Sequence, residues 1–165
     1  MWFFQNVVEF LILLFHMTTK WTFAMIKPLF PKKAKSIKGE IVFITGAGSG
    51  IGRLMSIKLA KLGAVVVCTD IDSRTSQETA DMITAEGGTA YSYRLDVSKR
   101  HDVYDLAETI KRDIGEVGIL INNAGIVTGK HFMHCPDELI LKTMDVNTNA
   151  HYWVRVYDIL DNVKS

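Results

Sequence analysis

The chain has 165 residues, 48% of them hydrophobic and 22% charged, which is enough for one domain with a sizeable core and too little for two. Twelve glycines and three prolines exclude disordered and collagen-like architectures, and a net charge of +1 gives no electrostatic footprint for nucleic acid. Cys68 and Cys135 lie outside any Cys-x-x-Cys or Cys/His spacing, so neither a disulfide framework nor a zinc site is expected and a reducing compartment is the default.

The near-neutral total hides an asymmetry. Residues 1–39 carry six lysines against the single acid Glu9, a net +5, whereas the remainder carries 13 basic and 17 acidic residues, a net −4. Residues 2–17 are almost wholly apolar, interrupted by Gln5, Asn6, Glu9 and His16. As a helix this run reaches about 24 Å, short of a hydrocarbon core of about 30 Å. A second apolar group follows at Trp21, Phe23, Ala24, Met25, Ile26, Leu29 and Phe30. One tilted helix, a re-entrant hairpin or an interfacial helix each fit, and each makes residues 1–30 a membrane anchor with Trp21 at the interface. A cleaved signal peptide fits less well, because no basic residue precedes the run and His16-Met17-Thr18-Thr19 is a poor cleavage site. The remaining alternative is a helix packed on its own protein. Residues 31–39 form a basic linker whose Lys32, Lys33, Lys35 and Lys38 favour the cytosolic side of a membrane.

From Glu40 onward short apolar runs alternate with amphipathic stretches. Glu40–Thr45 is a β-branched and aromatic run that suits a strand buried on both faces. Leu54, Ile57, Leu59 and Leu62 then show helical spacing up to Gly63. Ala64–Thr69 reads as the second strand, Thr75–Ala85 as a helix, Thr89–Leu95 as the third strand, and Val103, Leu106, Ala107 and Ile110 as the face of another helix. Val117–Ile121 is the fourth strand. Asp137 to about Leu160 reads as one long helix begun by Pro136, with Leu139, Ile140, Met144, Val146 and Trp153 on its apolar face. Tyr91 and Tyr93 are read as packing residues. The alternation predicts an α/β fold, a Rossmann-type doubly wound parallel sheet of strand order 3-2-1-4, behind a hydrophobic N-terminal helix.

Between the first strand and its helix stands Thr45-Gly46-Ala47-Gly48-Ser49-Gly50-Ile51-Gly52. Glycines in that context allow a tight turn and let bare backbone approach a pyrophosphate, whose charge the helix N-terminus stabilises. Asp70 stands eighteen positions beyond Gly52, at the end of the second strand, where a carboxylate accepts hydrogen bonds from an adenosine ribose. It would also repel a 2′-phosphate, so NAD is favoured over NADP, with Arg53 and Arg74 as the opposing charges. His131, His134 and Cys135 share a loop without a fourth partner, and no metal site is expected.

Taken together, the glycine loop, Asp70, Leu95-Asp96-Val97, Asn122-Asn123-Ala124-Gly125 and Asp145-Val146-Asn147 resemble the classical short-chain dehydrogenases/reductases in order and spacing. Methyltransferase-type Rossmann domains share the glycine turn without this combination. The apolar leader, the basic linker and Ile121–Lys130 are similar to the membrane-bound retinol and hydroxysteroid dehydrogenase branch of the epidermal type. The resemblance covers residues 40 to about 160. It implies cofactor contacts at Gly46, Ser49, Gly50, Ile51 and Gly52, an adenine pocket at Asp96 and Val97, a cofactor-side wall at Asn123, Ala124 and Gly125, and a catalytic-tetrad role for Asn147. It also implies a lipophilic retinoid or steroid substrate, an endoplasmic reticulum or lipid-droplet membrane with the globular part facing the cytosol, and room for a homodimer.

The same resemblance calls for a Ser, and for a Tyr with a Lys four residues on, since a phenol of pKa about 10 needs a nearby cation to act at neutral pH. Tyr91, Tyr93, Tyr104, Tyr152 and Tyr157 are followed at that spacing by Leu95, Val97, Glu108, Val156 and Asp161. The expectation is a truncated chain with residues 40–165 forming part of the dinucleotide-binding fold. On that reading it is inactive by itself as an oxidoreductase, and a non-catalytic nucleotide-binding module at a membrane or lipid-droplet surface is the alternative.

Overall fold

The computed structural model describes residues 2–27 and 35–154, in two compact units that divide after Lys35. The first is a single helix, α1 (Trp2–Ile26). The threonines of its middle do not interrupt it. Thr19 Oγ1 donates to the Phe15 carbonyl at 3.0 Å and Thr22 Oγ1 to the Thr19 carbonyl at 2.9 Å, so their hydroxyls are satisfied within the helix. The first apolar group and the second as far as Ile26 are therefore one continuous helix, which removes the hairpin option over residues 2–26. At 1.5 Å per residue α1 is about 37 Å long, and Phe4–Ile26 is long and apolar enough to cross a membrane. Leu29 and Phe30, together with Lys32 and Lys33 of the linker, lie outside the described residues.

The second unit runs β1 (Ile41–Thr45), α2 (Gly50–Lys61), β2 (Val65–Asp70), α3 (Ser73–Ala85), β3 (Thr89–Arg94), α4 (Arg100–Asp113), β4 (Val117–Ile121) and α5 (Asp137–Met144). The four strands form one parallel sheet in the order β3-β2-β1-β4, as the alternation of elements predicts. Register pairs Ile44 with Cys68 and Ile121, and Asp70 with Arg94. Successive residues of β1 and β2 point to opposite faces: Val42, Ile44, Val66 and Cys68 join Ala60 and Ile83 on one side, while Phe43 and Val67 join Leu95, Val103, Leu106 and Ile110 on the other. Both faces of the central strands are thus buried, which explains their unbroken apolar sequences. At the edge of this sheet Val117, Ile119, Leu120 and Ile121 of β4 are only half-buried.

Three local expectations are corrected. The buried face of α2 is Gly52, Ser56 and Ala60, and Leu54 and Leu62 are exposed, because the helix approaches the sheet through small side chains. Tyr91 is exposed, whereas Tyr93 and Trp153 pack on the core as expected. The long C-terminal helix is interrupted by a π-turn at Asp145–Asn149 before helix resumes to 154. That extra backbone position rotates the buried face: Val146, Ala150 and Val154 are in the core, while Ile140 and Met144 remain exposed. Pro136 is the N-cap of α5, outside its first helical residue, and the stretch from Arg155 to Leu160 lies outside the described residues.

Candidate functional site

In the order β3-β2-β1-β4 the chain leaves β1 toward β2 and β3, then returns to place β4 on the other side. That reversal makes the C-terminal ends of β1 and β4 the crevice where open α/β sheets bind ligands. β1 ends at Thr45 and runs into the glycine turn. Gly46 has φ +66°, and a Cβ there would stand 2.9 Å from Ala124 Cα. At Gly52 a Cβ would meet the Gly46 carbonyl oxygen at 2.0 Å. At Gly46 and Gly52 the chain is therefore bare backbone by necessity, closed on the segment after β4 at one and on the turn's own carbonyl at the other.

The other end of the turn is tied to β2. Ala47 donates its N–H to the Thr69 carbonyl at 2.9 Å, and Gly48 donates its N–H to Asp70 Oδ2 at 2.9 Å. Asp70 Oδ1 accepts the N–H of Asp72 at 3.1 Å, so this carboxylate organises both the glycine turn and the start of α3. Ser49 is the N-cap of α2, but its side chain makes no capping bond. The Ser49 side chain therefore does not cap the amides of the first turn, from Gly50, Ile51 and Gly52, and a helix N-terminus of this kind suits an anion.

On the β4 side, Asn123 Nδ2 donates to the Thr45 carbonyl at 3.0 Å and the Gly46 carbonyl at 3.1 Å. The N–H groups of Asn123 and Ala124 both donate to Thr45 Oγ1, each at 3.0 Å. Asn123 and Ala124 brace the glycine turn directly. Gly125 lies next to Asn147: a Cβ on it would be 3.6 Å from Asn147 Oδ1. Asn147, in the π-turn, accepts the Ile126 N–H at 2.9 Å and donates to the Ile126 carbonyl at 2.8 Å. Its carboxamide pins the loop that leaves β4.

Asp96 and Val97 follow β3 in the segment joined to β2 by the Leu95 N–H, which donates to the Asp70 carbonyl at 2.8 Å. Asp96 Oδ1 accepts Ser98 N–H and Oγ–H, at 3.1 and 2.6 Å. The Val97 side chain is in the core, so a ligand would meet its backbone. The His131 and His134 rings lie tilted at 46° with centroids 5.8 Å apart, and Cys135 Sγ lies 3.7 Å from the Pro136 carbonyl oxygen to which it donates.

Several structural residues of this site are not evident from motif spacing. Thr45 bonds both backbone amides beyond β4, and buried Thr79 of α3 donates to the Ala47 carbonyl at 2.9 Å. Arg53 of α2 donates through Nη2 to the Gly48 carbonyl and through Nε to Thr79 Oγ1. Thr45 ends a strand and Arg53 follows the glycines, but neither position reveals its partner. Cys68, deep in the sheet, has its thiol pushed up to about 11 by burial, partly offset by a hydrogen bond with Ser56.

The short chain dehydrogenase family matches residues 40–160. Human epidermal retinol dehydrogenase 2 is 51% identical over 131 residues, covering 79% of this chain and 42% of that protein. Retinol dehydrogenase 10 of Xenopus tropicalis is 39% identical over 172 residues, covering 89% and 50% respectively. Among solved structures, a hydroxysteroid dehydrogenase from Escherichia coli superposes with TM-score 0.69 at 30% identity, covering 73% of this chain and 51% of that one. A metagenomic short-chain oxidoreductase in complex with NADP superposes with TM-score 0.70 at 30% identity, covering 74% and 56%. This chain spans about half the length of the curated relatives it matches, or somewhat less. With its 3-2-1-4 sheet, bare glycine turn and matched sequence from residue 40 to residue 160, the chain belongs to the short-chain dehydrogenase family.

Proposed function

We propose that this chain binds a nicotinamide dinucleotide, NAD in preference to NADP, as the nucleotide-binding part of a membrane-associated oxidoreductase of lipophilic alcohols and ketones. The observation that carries this reading is the junction of the uncapped α2 N-terminus with the Asp70 carboxylate across the glycine turn. Pyrophosphate fits the amides of Gly50, Ile51 and Gly52 because the glycines of the turn let backbone approach it closely, and partial positive charge at the helix end favours an anion. Asp70 accepts from the ribose hydroxyls, and its charge disfavours a 2′-phosphate. Gly46 and Ser49 shape the phosphate cradle. Asp96 with the Val97 backbone borders the adenine, Asn123, Ala124 and Gly125 wall the cofactor side, and Asn147 holds the β4 exit at the nicotinamide end.

When bound, the nicotinamide ring supplies hydride exchange with an alcohol or carbonyl carbon. This chain's contribution is to orient the dinucleotide along the C-terminal ends of the strands. The similarity to retinol dehydrogenases supports a retinoid or steroid substrate. The apolar helix α1 supports residues 1–30 as an anchor in the endoplasmic reticulum or lipid-droplet membrane, with the globular part on the cytosolic side of the basic linker. A second reading, binding without turnover, needs only the glycine turn and the Asp70 carboxylate joined to it.

Isothermal titration of NAD and NADP into the full chain in detergent micelles, paired with a retinol turnover assay, tests both readings. Tighter binding of NAD than NADP supports the cofactor assignment, and NAD binding without turnover selects the second reading. Tighter binding of NADP overturns the preference, and no binding of either nucleotide overturns the site.

A further inference from the structure

Three arginines reach the Asp70 end of the sheet, and each is engaged by the protein itself. Arg53 on α2 donates through Nε to Thr79 Oγ1 at 3.0 Å, through Nη2 to the Gly48 carbonyl, and reaches Glu78 Oε2 at 3.2 Å. Arg74, in the first turn of α3, has Nη1 2.7 Å from Glu78 Oε1 and Nη2 3.7 Å from Asp72 Oδ2. Arg94, beside Asp70 in register, donates through Nε to the Ile71 carbonyl at 3.3 Å. Glu78 is the shared partner, with each carboxylate oxygen on a different guanidinium.

A ribose phosphorylated at its 2′ position would need a guanidinium beside Asp70 to offset the repulsion, because planar donor pairs match phosphate oxygens. We propose that Glu78 is a specificity-determining residue that withholds Arg74 from a 2′-phosphate and so reinforces the rejection of NADP. Its action is distinct from that of Asp70: Asp70 supplies the repulsion, and Glu78 occupies the Arg74 charge that would offset it. The two arginines differ in what Glu78 does for them. Arg53 is held by Thr79 and the Gly48 carbonyl as well, and stays in place without Glu78. The Arg74 side chain is 73% exposed and keeps only the longer contact to Asp72, so it is the guanidinium released.

This inference rests on the proposed NAD site, and its test separates the two. The ratio Kd(NADP)/Kd(NAD) is measured for the full chain in detergent micelles, for the wild type, Glu78→Gln, Glu78→Asp and the double variant Glu78→Gln/Arg74→Ala. One exposed ion pair sets the scale, so Glu78→Gln is expected to lower the ratio about three- to fivefold. Glu78→Asp should keep the ratio near wild type by retaining the charge, and adding Arg74→Ala to Glu78→Gln should restore it. A merely structural role would not produce that reversal. If the wild type binds NAD and Glu78→Gln leaves the ratio unmoved, or the shift survives loss of Arg74, the assignment of Glu78 is overturned while the NAD site stands. If the wild type binds neither nucleotide, the site itself fails and the assignment with it.

Discussion

The Asn123 carboxamide nitrogen donates to the backbone carbonyls of Thr45 and Gly46, while the Thr45 hydroxyl accepts the N–H of Asn123 in return. This reciprocal pair joins residues 78 positions apart and fixes the end of β4 against the turn that β1 enters. Replacing Asn123 by Ala removes two hydrogen bonds from a partly buried site, a loss of about 1–3 kcal/mol. The expected result is a lower melting temperature together with weaker NAD binding. An unchanged melting curve would show that the glycine turn holds its shape without this brace.

Gly52→Ala tests the closeness of the turn. The added methyl would sit 2.0 Å from the Gly46 carbonyl oxygen, a backbone atom that cannot rotate away, and overpacking of this kind costs about 1–3 kcal/mol. Destabilisation in thermal melting and loss of NAD binding in titration are expected. Gly87→Ala, with nothing within 4 Å of its new Cβ, carries only the backbone strain of a φ of +81° and should lower the melting temperature without weakening NAD binding.

Asp70 holds the Gly48 and Asp72 amides inside the protein and, in the proposed site, also accepts from the ribose of a bound nucleotide. Asp70→Ala removes charge-assisted bonds worth about 1.5–3 kcal/mol each, so NAD affinity should fall about tenfold or more. NADP should suffer less, since the repelling carboxylate is gone. An equal loss for both nucleotides in titration would place the ribose elsewhere.

Cys68 is fully buried and its thiol is pushed up to about 11 by burial, from 9.0 in an unhindered setting. A thiol is alkylated as its thiolate, so iodoacetamide at pH 8 should label the half-buried Cys135 and spare Cys68 until urea unfolds the chain. Mass spectrometry of native and unfolded samples counts the adducts. The sign of the pH effect follows from the same shift. The folded state keeps the Cys68 proton that the unfolded chain releases, so this stabilisation is complete below pH 9.0 and is lost as pH rises toward about 11. Cys68→Ser should flatten that decline in urea-melt midpoints.

The sequence by itself determined the strand order, the glycine turn and the acid that follows it. These are local signals: a β-branched run buried on both faces, glycines between strand and helix, and a carboxylate at the next strand end. The tertiary structure decided which face of α2 is buried, since Gly52, Ser56 and Ala60 permit the helix to approach the sheet where Leu54 and Leu62 would hold it away. It also decided the π-turn that sends Val146 inward and sets Asn147 on the Ile126 backbone. Above all it decided the partners of Thr45, Asn123, Arg53 and Glu78. A hydroxyl, an amide or an ion pair bonds whatever the packed sheet brings within about 3 Å, and no residue spacing along the chain encodes that distance.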